Sequence, residues 1–123
     1  MDKNKIQLGG MVMVKYSLNN KNLLVKFEMT ELDHHVSRPI REELDDILMT
    51  KPVKNIIFDF ENINFMDSSG IGVIIGRYKK ISSEKGKVSV ININSRVKKV
   101  FDLSGMNKII NVYSTYEEAL SSL

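Results

Sequence analysis

The sequence predicts an α/β fold: a mostly parallel five-stranded sheet entered through an N-terminal antiparallel hairpin, with helices mainly on one face. Three observations predict it. Two stretches of apolar and polar alternation, Met13 to Leu18 and Val25 to Met29, flank the turn-forming Asn19-Asn20-Lys21-Asn22, which is the pattern of a half-buried hairpin. After it, segments apolar at the helical period alternate with short apolar runs three times, and strand, helix, strand repeats require crossovers between parallel strands. The alternating strands each keep a polar face, whereas strands of a fully parallel sheet are normally covered on both. One side of the sheet is therefore expected to meet solvent.

The elements follow in order. Val14, Tyr16 and Leu18 oppose Met13, Lys15 and Ser17 in the first strand, and Val25, Phe27 and Met29 oppose Lys26, Glu28 and Thr30 in the second. Glu31-Leu32-Asp33-His34-His35 leaves as a loop. Ser37, with Pro39 in the first turn, starts a helix along Ile40, Leu44, Ile47 and Leu48, whose wet side is Glu42, Glu43, Asp45 and Asp46. Asn55 to Phe60 carries a charge only at Asp59 and reads as a central strand. A second helix places Ile71, Ile74, Ile75, Tyr78 and Ile81 on one stripe, with Gly86 as its stop. A fourth strand, Lys87 to Ile93, leads to Asn94-Ser95, a capping pair for a helix through Val97, Val100 and Phe101 that Gly105 closes. Ile109 to Tyr113 is the fifth strand, and Thr115 with Glu118 has the spacing of a capping box for a last helix ending at Leu123.

Composition bounds what such a domain does. At 123 residues with 42% hydrophobic side chains, the chain suits one domain that buries its own core. Residues 11–123 are read as that domain, and residues 1–10, which end in Gly9-Gly10 before Met11, as an N-terminal extension or expression remnant. The absence of cysteine excludes disulfides and thiolate metal sites, which fits a reducing cytoplasm. No apolar run approaches the roughly 18 residues of a membrane span, nor does the start resemble a signal peptide. The net charge of +3 is mild, and the basic runs Arg77-Tyr78-Lys79-Lys80 and Lys98-Lys99 lie within helical patterns as solvated faces, so no nucleic acid partner is read.

The loops that follow parallel strands collect at one edge of the sheet. Asp33-His34-His35, Asp67-Ser68-Ser69-Gly70 and Asn94-Ser95-Arg96 should therefore be neighbours. The second of these is the chemistry of a strand-to-helix turn, with short acceptors for free N–H groups followed by a residue without Cβ. The bland reading is an N-cap and nothing more. On a helical wheel, however, Gly72, Val73, Gly76 and Lys80 fall outside the apolar stripe, so two glycines and an exposed valine share the outer side. Each glycine costs a helix about 0.8–1.0 kcal/mol relative to alanine. Close approach of another backbone explains that cost, and packing beneath a helix of the same domain is the alternative. Ser68 is accordingly read as a phosphorylation switch in a protein-binding module. A phosphate there would add nearly two negative charges, which the helix start would tolerate. A partner matched to a neutral hydroxyl would meet like charge at a cost of several kcal/mol, roughly a hundredfold or more in affinity.

Other chemistries fit less well. A hydrolase elbow would need glycine where Met66 stands, with His34 or His35 as the base oriented by Asp33 or Asp67. Adjacent loop histidines point apart and make a poor zinc site, and the carboxylates of Asp33 and Asp67 make a weak one for Mg²⁺. Ser69-Gly70-Ile71-Gly72 lacks the lysine and spacing of a phosphate-binding loop. No catalytic residue, metal or cofactor is assigned.

ELDHH at 31–35, NINFMDSSGIGVIIGRYKKI at 62–81 and SRVKKVFDLSGMNKII at 95–110 closely resemble the anti-sigma factor antagonists of the STAS domain family, above all its sporulation members. The resemblance runs from about Met13 to Leu123. It implies that Ser68 is phosphorylated by the anti-sigma factor, itself an ATP-dependent serine kinase, that Ser69 is not the main acceptor, and that a membrane-bound PP2C-type phosphatase restores the active form. The unmodified antagonist would dock on the anti-sigma factor and release the sporulation sigma factor; a STAS module of a general-stress or sensory complex is the alternative. The surface expected to meet the partner comprises Asp33, His34, Asp67, Ser69, Gly70, Gly72, Val73, Gly76 and Arg77, on a cytoplasmic monomer without catalytic activity.

Overall fold

The computed structural model describes residues 5–8 and 11–123, with side chains from Met13 onward. Among the described residues the chain runs β1 (Lys5–Leu8), β2 (Met11–Asn19), β3 (Asn22–Phe27), β4 (Glu31–Leu32), α1 (Ser37–Thr50), β5 (Asn55–Asp59), β6 (Phe65–Met66), α2 (Ser68–Ser83), β7 (Val88–Ile91), α3 (Ser95–Leu103), a 3-10 turn (Met106–Lys108), β8 (Asn111–Tyr113) and α4 (Tyr116–Ser121). The main sheet has the order β1-β2-β3-β5-β7-β8, and β4 pairs with β6 alone. Pairing is antiparallel between β1 and β2 and between β2 and β3. From β3 through β5 and β7 to β8 it is parallel. The β2–β3 hairpin closes through Asn20 and Lys21, whose φ values of 52° and 67° are the paired left-handed conformation of the tightest hairpin loop.

The sheet thus has six strands where the sequence predicts five. The added one, Lys5–Leu8, falls in the segment read as an extension and pairs at the outer edge of β2; residues 1–4 and 9–10 lie outside the described residues.

The parallel strands advance in the same direction at every step, and crossovers of a single hand then put every connecting helix on the same face. On that face Leu23, Val25, Phe27, Ile56, Phe58, Val88 and Val90 meet Ile40, Leu44 and Ile47 of α1, Val73, Ile74 and Ile81 of α2, and Val97 and Phe101 of α3. Phe27 stacks on Phe58 with ring centroids 5.8 Å apart and meets Phe60 edge-on at 5.6 Å. Burying one such ring contributes about 1.5–3 kcal/mol. Among the described residues, α4 is the helix that covers part of the opposite face, where Ala119 packs with Ile57 and Ile91. The helices therefore lie mainly on one face, as the alternation predicts.

The orientation of α2 differs from the predicted stripe. Its buried residues are Gly70, Val73, Ile74, Arg77 and Ile81, whereas Ile71, Ile75 and Tyr78 are half-buried. Val73, read as an exposed residue of the outer side, is completely buried. Apolar side chains at 71, 73, 74 and 75 surround most of the helix, so periodicity alone does not fix which of them points inward. Packing against α1 decides it. Arg77 lies in this inner stripe, its Nε 3.2 Å from Asp45 Oδ1 on α1.

Helix and strand ends also shift. The left-handed residue that stops α2 is Lys85, with φ 65°. The Gly86 N–H donates to the Ile81 carbonyl and that of Lys85 to the Ser82 carbonyl, both at 2.9 Å, the paired bonds of a Schellman motif. Gly86 is required for another reason: a Cβ there would strike the Lys54 carbonyl. β8 begins at Asn111 rather than Ile109 because the N–H groups of Ile109 and Ile110 close the preceding turn onto the Met106 carbonyl, at 3.0 and 2.8 Å.

Gly70 shows the same kind of constraint at the other end of α2. A Cβ there would meet the Leu32 carbonyl and, at 2.7 Å, the Met66 side chain, so the first turn lies against the β4–β6 ladder with no space for a methyl group. Gly70→Ala is expected to destabilise the fold by about 1–3 kcal/mol, read as a lowered urea midpoint. An unchanged midpoint would mean that the ladder retreats freely.

Candidate functional site

Two residues of pairing bring the site together. Glu31 pairs with Phe65 and Leu32 with Met66, and the N–H groups of Asn64 and Phe65 donate to the Thr30 carbonyl at 2.7 and 3.2 Å. The loop after β3 is thereby strapped to the segment before α2. The loop before α3 joins them: Asn94 Oδ1 accepts from the Val97 N–H at 2.8 Å, while its amide donates to the Ile63 carbonyl at 2.9 Å. The three loops expected at one edge are thus stitched to the same stretch, residues 63–67.

Capping of α2 falls to Asp67. Its Oδ1 accepts from the N–H groups of Ser69 at 2.8 Å and Gly70 at 3.2 Å. Burial pushes the Asp67 carboxyl up, but the N–H groups of Gly70, Ser69 and His34, together with the His34 imidazole, outweigh it and hold the carboxyl below its ordinary value. Because Asp67 does this work, Ser68 is released from it. Ser68 is exposed at the first position of α2, and among the described residues its hydroxyl has no hydrogen-bond partner.

The histidines sit beside it. His34 Nδ1 lies 3.8 Å from Asp67 Oδ2, and the two imidazoles touch at a tilt of 37° with centroids 4.0 Å apart. His35 turns the other way, its Nδ1 3.6 Å from Asp33 Oδ2. Asp33 is mostly an internal residue: it is buried, Oδ1 accepts from the His35 N–H at 3.0 Å, and its carbonyl accepts from Val36 and Ser37. Its work is to shape the turn into α1.

The residues expected to face a partner therefore divide. His34, Asp67, Ser69, Gly72 and Gly76 reach or border the surface. Asp33, Gly70, Val73 and Arg77 lie within the fold, so any influence on a partner is exerted from beneath. Ser68, Gly72 and Gly76 follow one another at four-residue spacing on the outer side of α2, and a Cβ at either glycine would meet nothing within 4 Å. Packing beneath a helix of the same domain, the alternative reason for those glycines, does not occur among the described residues.

Sequence reasoning missed two residues. Phe65, next to the cap, is 50% exposed; alternation with the buried Met66 is its only signal. Asp45 lies on the wet side of α1 as read, and it also reaches Arg77 across 32 positions of sequence, which no local pattern reveals. Among the described residues no three His, Cys, Asp or Glu side chains form a group that could hold a metal ion, and no helix is long and apolar enough to cross a membrane.

An unengaged hydroxyl, open glycine backbone along the same side of α2 and a half-exposed aromatic ring lie at the surface of a small α/β domain. The STAS domain family model matches residues 18–119, and the chain belongs to that family, one of binding proteins rather than enzymes. It is similar to the anti-sigma F factor antagonist of Paenibacillus polymyxa, with 36% identity over 105 residues, covering 85% of this chain and 90% of that protein. The solved structure of the anti-sigma factor antagonist SpoIIAA in its unphosphorylated form matches with a TM-score of 0.77 at 30% identity, covering 89% of this chain and 94% of that one. The phosphorylated form of the Bacillus cell fate determinant SpoIIAA matches at 0.69 with 29% identity, covering 89% and 97%.

The cap carries its own prediction. Asp67→Ala should cost about 1 kcal/mol at neutral pH, and Asp67→Asn, which keeps an acceptor for Ser69 and Gly70, should cost less. Because the folded carboxyl titrates below its unfolded value of 3.8, its stabilisation is complete above that value and is lost as pH falls through the lower folded one. The stability gap between wild type and Asp67→Asn, measured by chemical denaturation across pH, should therefore be constant near neutrality and close in acid.

Proposed function

We propose that this chain is a phosphorylation-controlled antagonist of an anti-sigma factor. Unmodified, it docks through the outer side of α2 and the neighbouring loop, and so frees a sporulation sigma factor in the cytoplasm. Phosphorylation of Ser68 blocks docking. The observation that carries this reading is the Ser68 hydroxyl itself: exposed, unengaged, and excused from capping by Asp67. The likeness to proteins named as anti-sigma factor antagonists supports the choice of partner.

The anti-sigma factor would act as the serine kinase. Ser68 Oγ attacks the γ-phosphorus of ATP, a new O–P bond forms as the bond to the β-phosphate oxygen breaks, ADP leaves and the hydroxyl proton is lost. A PP2C-type phosphatase would return the hydroxyl by hydrolysis. The modified serine gains about 1.5–2 negative charges beside Asp67, at a helix start whose dipole tolerates them. The fold persists while the surface changes sign. His34, Asp67, Ser69, Gly72, Gly76 and Phe65 would form the contact, with Asp33, Gly70, Val73 and Arg77 shaping it from below. The chain would act as a monomer.

Incubation with the cognate kinase and ATP should add one phosphate, mapped by intact mass and peptide analysis to Ser68; full phosphorylation of Ser68→Ala would refute the site. Ser68→Asp should bind the anti-sigma factor about a hundredfold more weakly, and unchanged affinity would remove the charge argument.

The glycines give a second test. Gly72→Ala and Gly76→Ala fill open space and remove a helix penalty, so each should stabilise the fold by about 0.4–1 kcal/mol and yet weaken binding. Stabilised variants that bind as well as wild type would show that the partner does not approach this backbone.

A further inference from the structure

We infer that His34 is the counter-charge of a phosphorylated Ser68: its imidazole turns from the Asp67 carboxylate to the phosphate and holds that group in one orientation on the face of α2. The inference rests on the reading of Ser68 as the modified residue and adds the residue that receives the phosphate. His34 is held near it by the β4–β6 ladder and by Asp67, which engages the helix start and His34 together. The ring itself is loosely held. At 3.8 Å from Asp67 Oδ2, with 68% of its side chain exposed, it is beyond hydrogen-bond range and free to swing.

Charge makes the movement favourable. A phosphate on Ser68 lies one residue from the Asp67 carboxylate, which cannot retreat because Oδ1 is committed to two N–H groups. Like charges this close disfavour both ionised forms, and a cation between them relieves the conflict. On α2 the first basic side chain after Ser68 is Arg77, nine residues and about 13 Å along the helix, and it is buried against Asp45. Charged groups on the segments joined at this edge are Asp67 on the helix start, Glu31, Asp33 and His35 on the loop of His34, Arg38 at the start of α1, and Arg96 in the first turn of α3, behind the loop that Asn94 ties to Ile63; on these segments, His34 is the basic side chain beside Asp67. Arg38 is engaged with Glu42 at 3.3 Å, and His35 leans on Asp33 while its ring supports that of His34. Of the two imidazoles, His34 is therefore the one beside Asp67, the residue that precedes Ser68. A basic side chain beside the phosphate favours its more highly charged form, so the contact favours the dianion.

The test is a ³¹P NMR pH titration of the full chain carrying phosphoserine installed during translation at position 68, in wild type, His34→Gln, His34→Lys and His35→Gln. Thermal melts confirm that each is folded. The phosphate's second ionisation, ordinarily near about pH 6, should lie about one pH unit lower in wild type than in His34→Gln. His34→Lys should keep the low midpoint, and His35→Gln should stay closer to wild type than to His34→Gln. Equal midpoints in wild type and His34→Gln would overturn the inference, as would an equal displacement by His35→Gln. Because the phosphoserine is installed without a kinase, these outcomes are separate from failure of the kinase to modify Ser68, which would sink the underlying reading instead.

Discussion

The Asp67 carboxylate joins two parts of the chain that share little else. One oxygen satisfies the free N–H groups of Ser69 and Gly70; the other faces His34 on a loop 33 residues earlier. Without it the first turn of α2 would keep unsatisfied donors, and the loop after β3 would lose its electrostatic anchor. The division of labour also explains why an aspartate precedes the serine. A capping serine would have its hydroxyl committed to the backbone, whereas a serine one position into the helix, behind an aspartate that caps, presents an oxygen with no structural duty.

The glycines of α2 separate two demands that look identical in sequence. Gly70 is needed because the Leu32 carbonyl and Met66 occupy the place of its Cβ, and Gly86 because the Lys54 carbonyl does. Gly72 and Gly76 have open space instead, so the domain accepts a helix penalty of about 0.8–1.0 kcal/mol at each without an internal return. A partner backbone lying along that side would supply the return. Open glycines lie in the same line as the free hydroxyl, on the outer side of α2 rather than in its inner stripe.

Most of the architecture was legible because it rests on local periodicity. The alternation of β2 and β3 around Asn20-Lys21, the apolar run of β5, and the caps at Asn94 and Thr115 are all short-range signals that packing did not override. What was illegible is tertiary. β4 and β6 have two residues each, too few for any alternation, and yet they bring His34 to Asp67. The inward side of α2 could not be read because Ile71, Val73, Ile74 and Ile75 are apolar almost all round the helix, and contact with α1 selects among them. For the same reason Arg77 looked like part of a solvated basic run when its guanidinium is buried, and Val73 looked exposed. The neighbourhood of the site was readable from topology; which side chains reach its surface was not.

The strand order bears on the kind of function such a fold can perform. A doubly wound sheet reverses its order and opens a crevice at the reversal, where cofactors bind. Here β3, β5, β7 and β8 advance without reversal, α1 to α3 crowd one face, and the loop edge closes over itself through the Ile63 to Asp67 stretch. At such an edge a change of state need not move the backbone, because placing charge at Ser68 costs the helix start little, whereas like-charge contact across an interface costs several kcal/mol. A phosphorylation switch of the kind proposed would therefore work with the fold rigid: a loop free to reshape around a phosphate would soften the rejection that the charge provides.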